Sequence, residues 1–537
     1  MMKDKQTVWI PHIMEAVPVE ARKNQISMYT IALEGWRRGL KLKFYNIKED
    51  NKFHIRYSLS NGDHIHYFNG SSGDMVTQEA FEICDSKSLT NDYLLNAGVP
   101  IPLGKKFDEE LSNKEIVEAS KQISFPLVVK PTNGKAGRGV IANIRTELEL
   151  ETSVQYVREK LGYKEILVQQ YVTGEEVRVY VLNGRVLGAA NRRPANVLGT
   201  GKHSIKELVR LKNDFRKQIP HLHFRPIQID REVKLMLTEL GYTLDTVPEK
   251  GQIIYLRKIS NVSRGGDPID ITEQLTQKQK QTAIDATNAI PGLIHCGVDM
   301  ILDENRGEAV VLELNTRPGI GSHLFPLEGK ARDIPKEIID FYFPETKQRD
   351  TSDSNIYFDF GSIQNGLKGS STSEVEVIPC SPRRLFAKMY KITGNVEGKE
   401  YYMWLRTHAL KSRISGSIRK LEEGLFELVI AGETKEAVDE FQDIWQNKRR
   451  FHISVKQERV WNHPVKLGFE WQDGYNSMSI RELEILLKEK EQETKQSLKE
   501  KQQTKHRINK MRESHSWKIT YPLRYFTDGF RKIKKIR

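Results

Sequence analysis

FPLVVKPTNGKAGRGV, Phe125–Val140, is the stretch whose reading decides the fold. An apolar run, Leu127-Val128-Val129, ends on Lys130, and Gly134, Gly137 and Gly139 follow within ten residues. A strand that stops on a lysine holds that cation at the edge of a site, and glycines let the backbone approach phosphate oxygens closely. Alone, the pattern describes equally well a hairpin turn with an exposed lysine. It is not a P-loop spacing, because no Gly-Lys-[Ser/Thr] follows.

Two later stretches tip the balance: GVDMIL (Gly297–Leu302) and VLELNTRP (Val311–Pro318). Asp299 is expected to open a strand just after a helix end. Glu313 and Asn315 stand two apart in a strand, so their side chains share a face and can aim oxygen at one metal site. Carboxylate and amide oxygens are hard ligands that suit Mg²⁺ or Mn²⁺ rather than zinc. A lysine, a glycine-rich turn and paired acids are together what nucleotide-dependent ligation requires: cations neutralise the phosphates and the acids hold a divalent ion over the transferred group.

Between these stretches lies EILVQQYVTGEEVRVYVLNGRVLGAANRR (Glu165–Arg193). It reads as a strand running into an acidic loop at Glu175 and Glu176, then a hairpin turning at Asn183-Gly184. The acids can accept ribose hydroxyls or simply face water. Arg178, Arg192 and Arg193 are candidates for the same cleft, but Arg192 and Arg193 cannot both point inward from a regular strand.

With 537 residues, 38% hydrophobic and 29% charged, the chain suits several globular units. It has no apolar run long enough to span a membrane, and MMKDKQTVWIPH lacks a signal-peptide core. Cys84, Cys296 and Cys380 make neither a disulfide frame nor a zinc site, which points to the cytoplasm. The net charge of +13 is concentrated at the end: residues 478–537 hold 17 Lys and Arg against 8 Asp and Glu, or +9. Such a tail can rest on an anionic inner membrane face or a partner complex, or be a solvated helix. It does not read as a nucleic-acid binder, because its bases alternate with Glu and Gln and no RNA-binding motif appears. Homo-oligomerisation is left open.

The expected domains are an N-terminal α/β unit over 1–84, a central unit over 85–346, a polar linker over 347–375, a second α/β unit over 376–472, and a basic helical tail over 478–537. In the first unit TVWIPH, KLKFYNI and HIHYFNG read as strands, and ISMYTIALEGWRRGL reads as a helix.

Over Asp85–Pro344 the chain resembles the ATP-grasp superfamily, and within it the ATP-grasp portion of cyanophycin synthetase. The likeness is carried by DSKSLTNDYLLNAGVP, FPLVVKPTNGKAGRGV, RVYVLNGRVLGAANRRPANVLGTGKHSIKEL, LRKISNVSRGG, GVDMIL and LELNTRPGIGSHLFPLEGKARDI. The resemblance implies α/β lobes gripping ATP, with Lys87 and Lys130 on the phosphates and the 132–140 loop over them. It places adenine and ribose along Gln170–Glu176. It makes Asp299, Glu313 and Asn315 the magnesium ligands, and it gives Arg257 and Asn261, with Gly265 and Gly266, to an acyl phosphate. Family members often have an acid where this chain has Gln169-Gln170, so the ribose contact moves to Glu175 or Glu176. The Mur-ligase-like ATPase domain of cyanophycin synthetase has no counterpart here.

Residues 376–472 resemble an acylphosphatase, a ferredoxin-like βαββαβ domain. The active family carries arginine at the position of Tyr402 and asparagine at that of Lys420, so the likeness implies a non-catalytic module. SHSWKITYPLR (Ser514–Arg524) looks like a tail closing many enzymes of surface-polysaccharide loci. The expected activity is therefore ATP-dependent joining of a small-molecule carboxylate to an amine, on a cell-envelope precursor. The alternative is a non-catalytic nucleotide-binding scaffold in a membrane-associated biosynthetic complex.

Overall fold

In the computed structural model, which describes residues 7–49, 52–132, 139–303, 307–368, 372–379 and 384–472, the chain folds as two compact units. The first comprises residues 1–387 with 431–435 and 461–467. The second holds 388–430, 436–460 and 468–472. Gly134, Gly137, Cys380 and the tail 478–537 lie outside the described residues.

The first unit begins with helix Ile26–Arg37, which buries eleven of its residues, from Ile26 to Arg37 with only Ser27 excepted. A helix apolar on most sides must be covered on most sides. Its arginines end in fixed partners. Arg37 donates from Nε to the Ile356 carbonyl (2.9 Å), and Arg38 pairs with Glu34 (2.7 Å) and Asp340 (2.6 Å). An antiparallel sheet accompanies it, in the order Glu374–Glu376, Lys41–Glu49, Lys52–Ser60, Ile65–Asn69, Ser72–Gly73. The segment TVWIPH, read as a strand, contributes only an isolated bridge from Val8 to Lys330, and Pro11–Met14 is helical. Proline lacks an N–H for a ladder but fits the first turn of a helix.

Residues 347–375, read as a linker, contain strand Ile356–Tyr357 and helix Phe360–Lys368. Phe358 and Phe360 pack on Tyr29 with ring centroids 4.9 and 5.4 Å away. Two aromatic anchors bury enough apolar surface to order a segment whose flanks are polar.

A second sheet runs Gly104–Phe107, Ile166–Gln170, Leu127–Pro131, Ile141–Ile144, all antiparallel. Its buried face, with Leu127, Val129, Ile166 and Val168, packs on helices Asn113–Ser120 and Glu147–Gln155 through Ile116, Leu150 and Val154. Lys130 is the fourth residue of its strand, between buried Val129 and Pro131.

The third sheet runs Asp267–Asp270, Arg185–Arg193, Glu175–Leu182, His295–Asp303, Glu308–Asn315. The turn joining its second and third strands has positive φ at Asn183 (45°) and Gly184 (69°), as a two-residue primed hairpin turn demands. Beyond the turn the ladder passes from Val186↔Val181 to Gly188↔Tyr180, so Leu187 is an extra residue in a bulge. Another bulge on strand Glu308–Asn315 steps from Glu313↔Asp299 to Val311↔Met300. Gly297 sits where a Cβ would come within 2.7 Å of Pro318 Cβ. Between Arg193 and Asp267 the chain makes an excursion with its own core. Helices Ile205–Gln218 and Arg231–Glu239 pack through Leu208, Val209, Val233 and Leu237 on the strand pair Asn196–Leu198 and Ile253–Tyr255.

The second unit is built on a five-stranded sheet in the order Ser454–Val460, Phe386–Thr393, Leu425–Gly432, Ser415–Glu422, Phe469–Gln472, with helices Lys399–Lys411 and Lys435–Gln446. The chain order is βαββαβ with one further strand. Trp445 meets Tyr390 edge-on at 5.1 Å.

Candidate functional site

Three parts of the first unit converge on one cation. Lys130 lies on the second sheet, Lys87 opens helix Lys87–Asn96, and Glu313 lies on the last strand of the third sheet. Burial, with the Lys87 ammonium beside it, pushes the Lys130 ammonium down to about 8, while the Glu313 carboxylate pulls the other way. Two lysines held together at some electrostatic cost make a socket for a polyanion. Ser86 caps the helix that carries Lys87. Gly139 is the one expected loop glycine among the described residues, with φ of 79° and the Pro131 ring 3.1 Å from where a Cβ would stand.

The neighbouring acids are organised by arginines. Asp299 lies in the middle of strand His295–Asp303 rather than at its start, because buried His295, Cys296 and Val298 extend the strand backwards. It is 8% exposed. Arg178 donates to it from Nε (2.7 Å) and Nη2 (2.6 Å), Arg192 from Nη2 (3.1 Å), and Asn315 from Nδ2 (3.1 Å). Burial alone would raise the Asp299 carboxyl, but Arg178 and then Arg192 overcome this and hold it below the ordinary carboxylate range.

Glu175 and Glu176 are the first residues of strand Glu175–Leu182, not part of a loop, because Glu176 is anchored by the sheet. Glu176 accepts from Arg192 Nη1 (2.8 Å), and burial raises its carboxyl despite that partner, with Asp299 adding to the rise. Glu175 is exposed and accepts from Asn191 Nδ2 (2.8 Å). Alternation separates the paired arginines: Arg192 serves Glu176 and Asp299, whereas Arg193 pairs with Glu328 at 2.7 Å.

Arg257 is 3% exposed and engaged on helix Arg231–Glu239 and its cap. It donates to Asp230 Oδ2 (2.7 Å) and the Gln228 carbonyl (3.2 Å), and pairs with Glu232, while its Nε has no partner among the described residues. Asn261 Oδ1 accepts from Ser263 N (2.9 Å) and Oγ (2.7 Å). Among the described residues, neither bonds to Lys130, Asp299 or Glu313. The backbone amides of Gln170 and Tyr171, in the expected adenine segment, donate to Leu103 and Pro126 carbonyls.

Of the three arginines read as candidates for the cleft, Arg178 and Arg192 are brought to Asp299 and Arg193 is not. Their signal was in the strand period: Arg178 follows Glu176 by two, and both stand on the face that meets Asp299.

The donor set fits a hard divalent ion. Asp299 and Glu313 are paired across the ladder, and Asn315 gives its amide N–H to Asp299, which leaves its Oδ1 for a cation. The described residues contain no group of three His, Cys, Asp or Glu placed for a metal. Two carboxylates and an amide suit Mg²⁺, which keeps waters and shares phosphate oxygens.

Residues 84–200 and 256–340 match the RimK-like ATP-grasp domain family. The chain carries an ATP-grasp domain. The break in the match falls on the excursion that has its own small core. Residues 388–470 match the acylphosphatase family.

Among curated proteins, the glutathione biosynthesis bifunctional protein GshAB of Enterococcus faecalis is 31% identical over 342 residues, 61% of this chain and 44% of that protein. Cyanophycin synthetase of Crocosphaera subtropica is 30% identical over 329 residues, 59% of this chain and 35% of that protein. A solved bifunctional glutathione synthetase from Pasteurella multocida is 31% identical, covering 54% of this chain and 40% of that one, with a TM-score of 0.44. The chain thus spans less than half the length of these relatives.

Proposed function

We propose that this protein is an ATP-dependent carboxylate–amine ligase that works through an acyl phosphate and releases ADP. The observation that carries the reading is the meeting of Lys87, Lys130 and Glu313, with Asp299 held ionised beside them. Cations for a polyphosphate and oxygens for a divalent ion stand at one place, on separate elements of one ATP-grasp domain.

In this reading the substrate carboxylate oxygen attacks the γ-phosphorus of ATP and ADP departs. The amine nitrogen then attacks the acyl carbon, loses a proton, and inorganic phosphate leaves. Lys87 and Lys130 neutralise the β- and γ-phosphates, which is most of what phosphoryl transfer asks of a protein. Glu313, Asn315 and Asp299 would hold Mg²⁺, which supplies charge neutralisation at the transferred phosphate. Arg178 and Arg192 keep Asp299 ionised. Glu175 or Glu176 would take the ribose hydroxyls. Arg257 serves the acyl phosphate only by exchanging Asp230 or Glu232 for it. Water must be excluded from the acyl phosphate, a role the resemblance gives to the 132–140 loop.

The relatives bear names of glutathione and cyanophycin synthesis, which supports small carboxylate and amine substrates. The finer reading, an amino acid or peptide joined to an envelope precursor at the membrane's inner face, rests on SHSWKITYPLR and the basic tail, outside the described residues. No helix among the described residues is long and apolar enough to cross a membrane.

The test incubates purified protein with ATP, Mg²⁺, hydroxylamine and pools of amino acids. ADP, phosphate and a hydroxamate are the expected products. AMP and pyrophosphate would overturn the acyl-phosphate route, and ATP binding without any turnover would favour the scaffold alternative.

A further inference from the structure

A cleft of about 670 Å³ opens beside the phosphate-binding lysines, lined in part by Ser86 and Ser88 on either side of Lys87, and by Thr132 two residues past Lys130. Most of its charges are already matched. Arg56 pairs with Glu49 at 2.8 Å, and Lys106 with Glu165 at 3.1 Å. Arg317 is different. It is exposed, its guanidinium lies 5.2 Å from the centre of the Phe81 ring, and it has no carboxylate partner among the described residues.

Its position in the chain matters as much. Leu314, Thr316 and Pro318 are buried, while Glu313, Asn315 and Arg317 are not. The alternation of burial therefore continues past the strand's end, and Arg317, two residues beyond Asn315, is exposed as Glu313 is. A planar guanidinium held on an aromatic ring is pre-oriented, with its fork of N–H donors left for an anion. The same cleft is lined by Glu82 and Asp85, which attract an ammonium group. A ligand bearing both charges answers both.

We propose that Arg317, set over the Phe81 ring, is a specificity-determining residue that binds the carboxylate of the amine-bearing substrate. The proposal deepens the ligase reading and rests on it for the identity of the site. The reacting carboxylate belongs beside Lys130 and the metal ligands. The anion at Arg317 is a second one, carried by the nucleophile, so an amine with no carboxylate is a poor acceptor.

The test measures binding to the full chain, by calorimetry or thermal shift, with Mg²⁺ and a non-hydrolysable ATP analogue present. The probes are the common L-amino acids and their α-carboxamides. At least one amino acid is expected to bind wild type about tenfold or more tightly than its carboxamide. Arg317→Gln should erase that preference, Arg317→Lys should restore part of it, and the affinity for the ATP analogue should stay within about twofold. The proposal fails if no amino acid outbinds its carboxamide, or if Arg317→Gln keeps the preference. It fails too if the nucleotide affinity is what moves, since Arg317 would then be a phosphate contact. ADP release decides the ligase reading separately: wild type that discriminates in binding yet never releases ADP sinks that reading and leaves the carboxylate contact standing.

Discussion

Arg178 and Asp299 stand opposite each other on adjacent antiparallel strands and are joined by a guanidinium fork, 2.7 Å from Nε to Oδ1 and 2.6 Å from Nη2 to Oδ2. The pair is largely withdrawn from water, with side chains 19% and 11% exposed. Asp299 can thus remain charged at a depth where an isolated carboxylate would take up a proton.

Removing Arg178 should therefore cost more than removing the pair. Arg178→Met leaves a buried carboxylate with only Arg192 and Asn315 to answer it. A loss of about 3 kcal/mol is expected, read from the urea denaturation midpoint. Adding Asp299→Asn should return a good part of that loss. Additive losses from the two changes would show that the fork does not couple them.

Glu313→Gln should lower substrate-dependent ADP release by roughly 10²-fold or more, about 2.7 kcal/mol in barrier height, because the amide removes a charge from the cation site. Near-normal turnover at saturating Mg²⁺ would take Glu313 out of the metal set.

Lys130 gives a pH signature. Its ammonium titrates near 8 in the folded chain and at 10.5 ordinarily, so between those values the folded state carries fewer protons than the unfolded one. Stability should gain with pH across that window. Polyphosphate reverses the pull and restores the proton, so ATP binding near pH 8 should take up protons in calorimetry across buffers, and ATP affinity should fall as pH rises through 8. Proton release on binding would contradict this placement. Lys130→Met should lower turnover by about 10²-fold or more without lowering the melting temperature.

The acylphosphatase-like unit should not hydrolyse acyl phosphates. Tyr402 offers no guanidinium fork, and its hydroxyl lies 3.5 Å from the Phe469 carbonyl. Lys420 is paired with Glu397 at the loop before helix Lys399–Lys411. Full-length protein given benzoyl phosphate without ATP should release phosphate at the uncatalysed rate. Hydrolysis that Lys420→Ala removes would mean that this pair is an active arrangement.

Local chemistry made much of this structure legible. The apolar run before Lys130, the Asn183-Gly184 turn and the alternation of Glu313 and Asn315 each belong to a short window whose period or turn type announces it. What stayed hidden depends on distant partners. TVWIPH has strand-forming residues but meets a single bridging partner, Lys330. The stretch 347–375 looks polar in composition and is ordered by Phe358 and Phe360 on Tyr29, far back in the chain. Strand Lys52–Ser60 was legible too, since Phe53, Ile55, Tyr57 and Leu59 alternate with polar residues, and it pairs along its length with Lys41–Glu49. At the site, Asp299 and the candidate arginines were visible, but the pairing of Arg178 and Arg192 with Asp299 was not, since it follows from strand order rather than from any local motif.

The extra residue Leu187 has a consequence for how this chain can change length. If Leu187 were taken into the ladder opposite Tyr180, the residues beyond it would shift by one, and Arg193 rather than Arg192 would share a face with Glu176 and Arg178. Two neighbouring, chemically identical side chains would trade places without any substitution. One would leave Glu328 alone, and the other would leave Asp299 short of a donor. A change of length between Leu182 and Gly188 that the bulge does not absorb is therefore a substitution in disguise at the candidate site. The segment 201–255, where the ATP-grasp match breaks, is tied in as well: its Lys212 and Arg216 pair with buried Asp267 of the third sheet. Anyone grafting, permuting or trimming this protein should leave the hairpin's residue count alone.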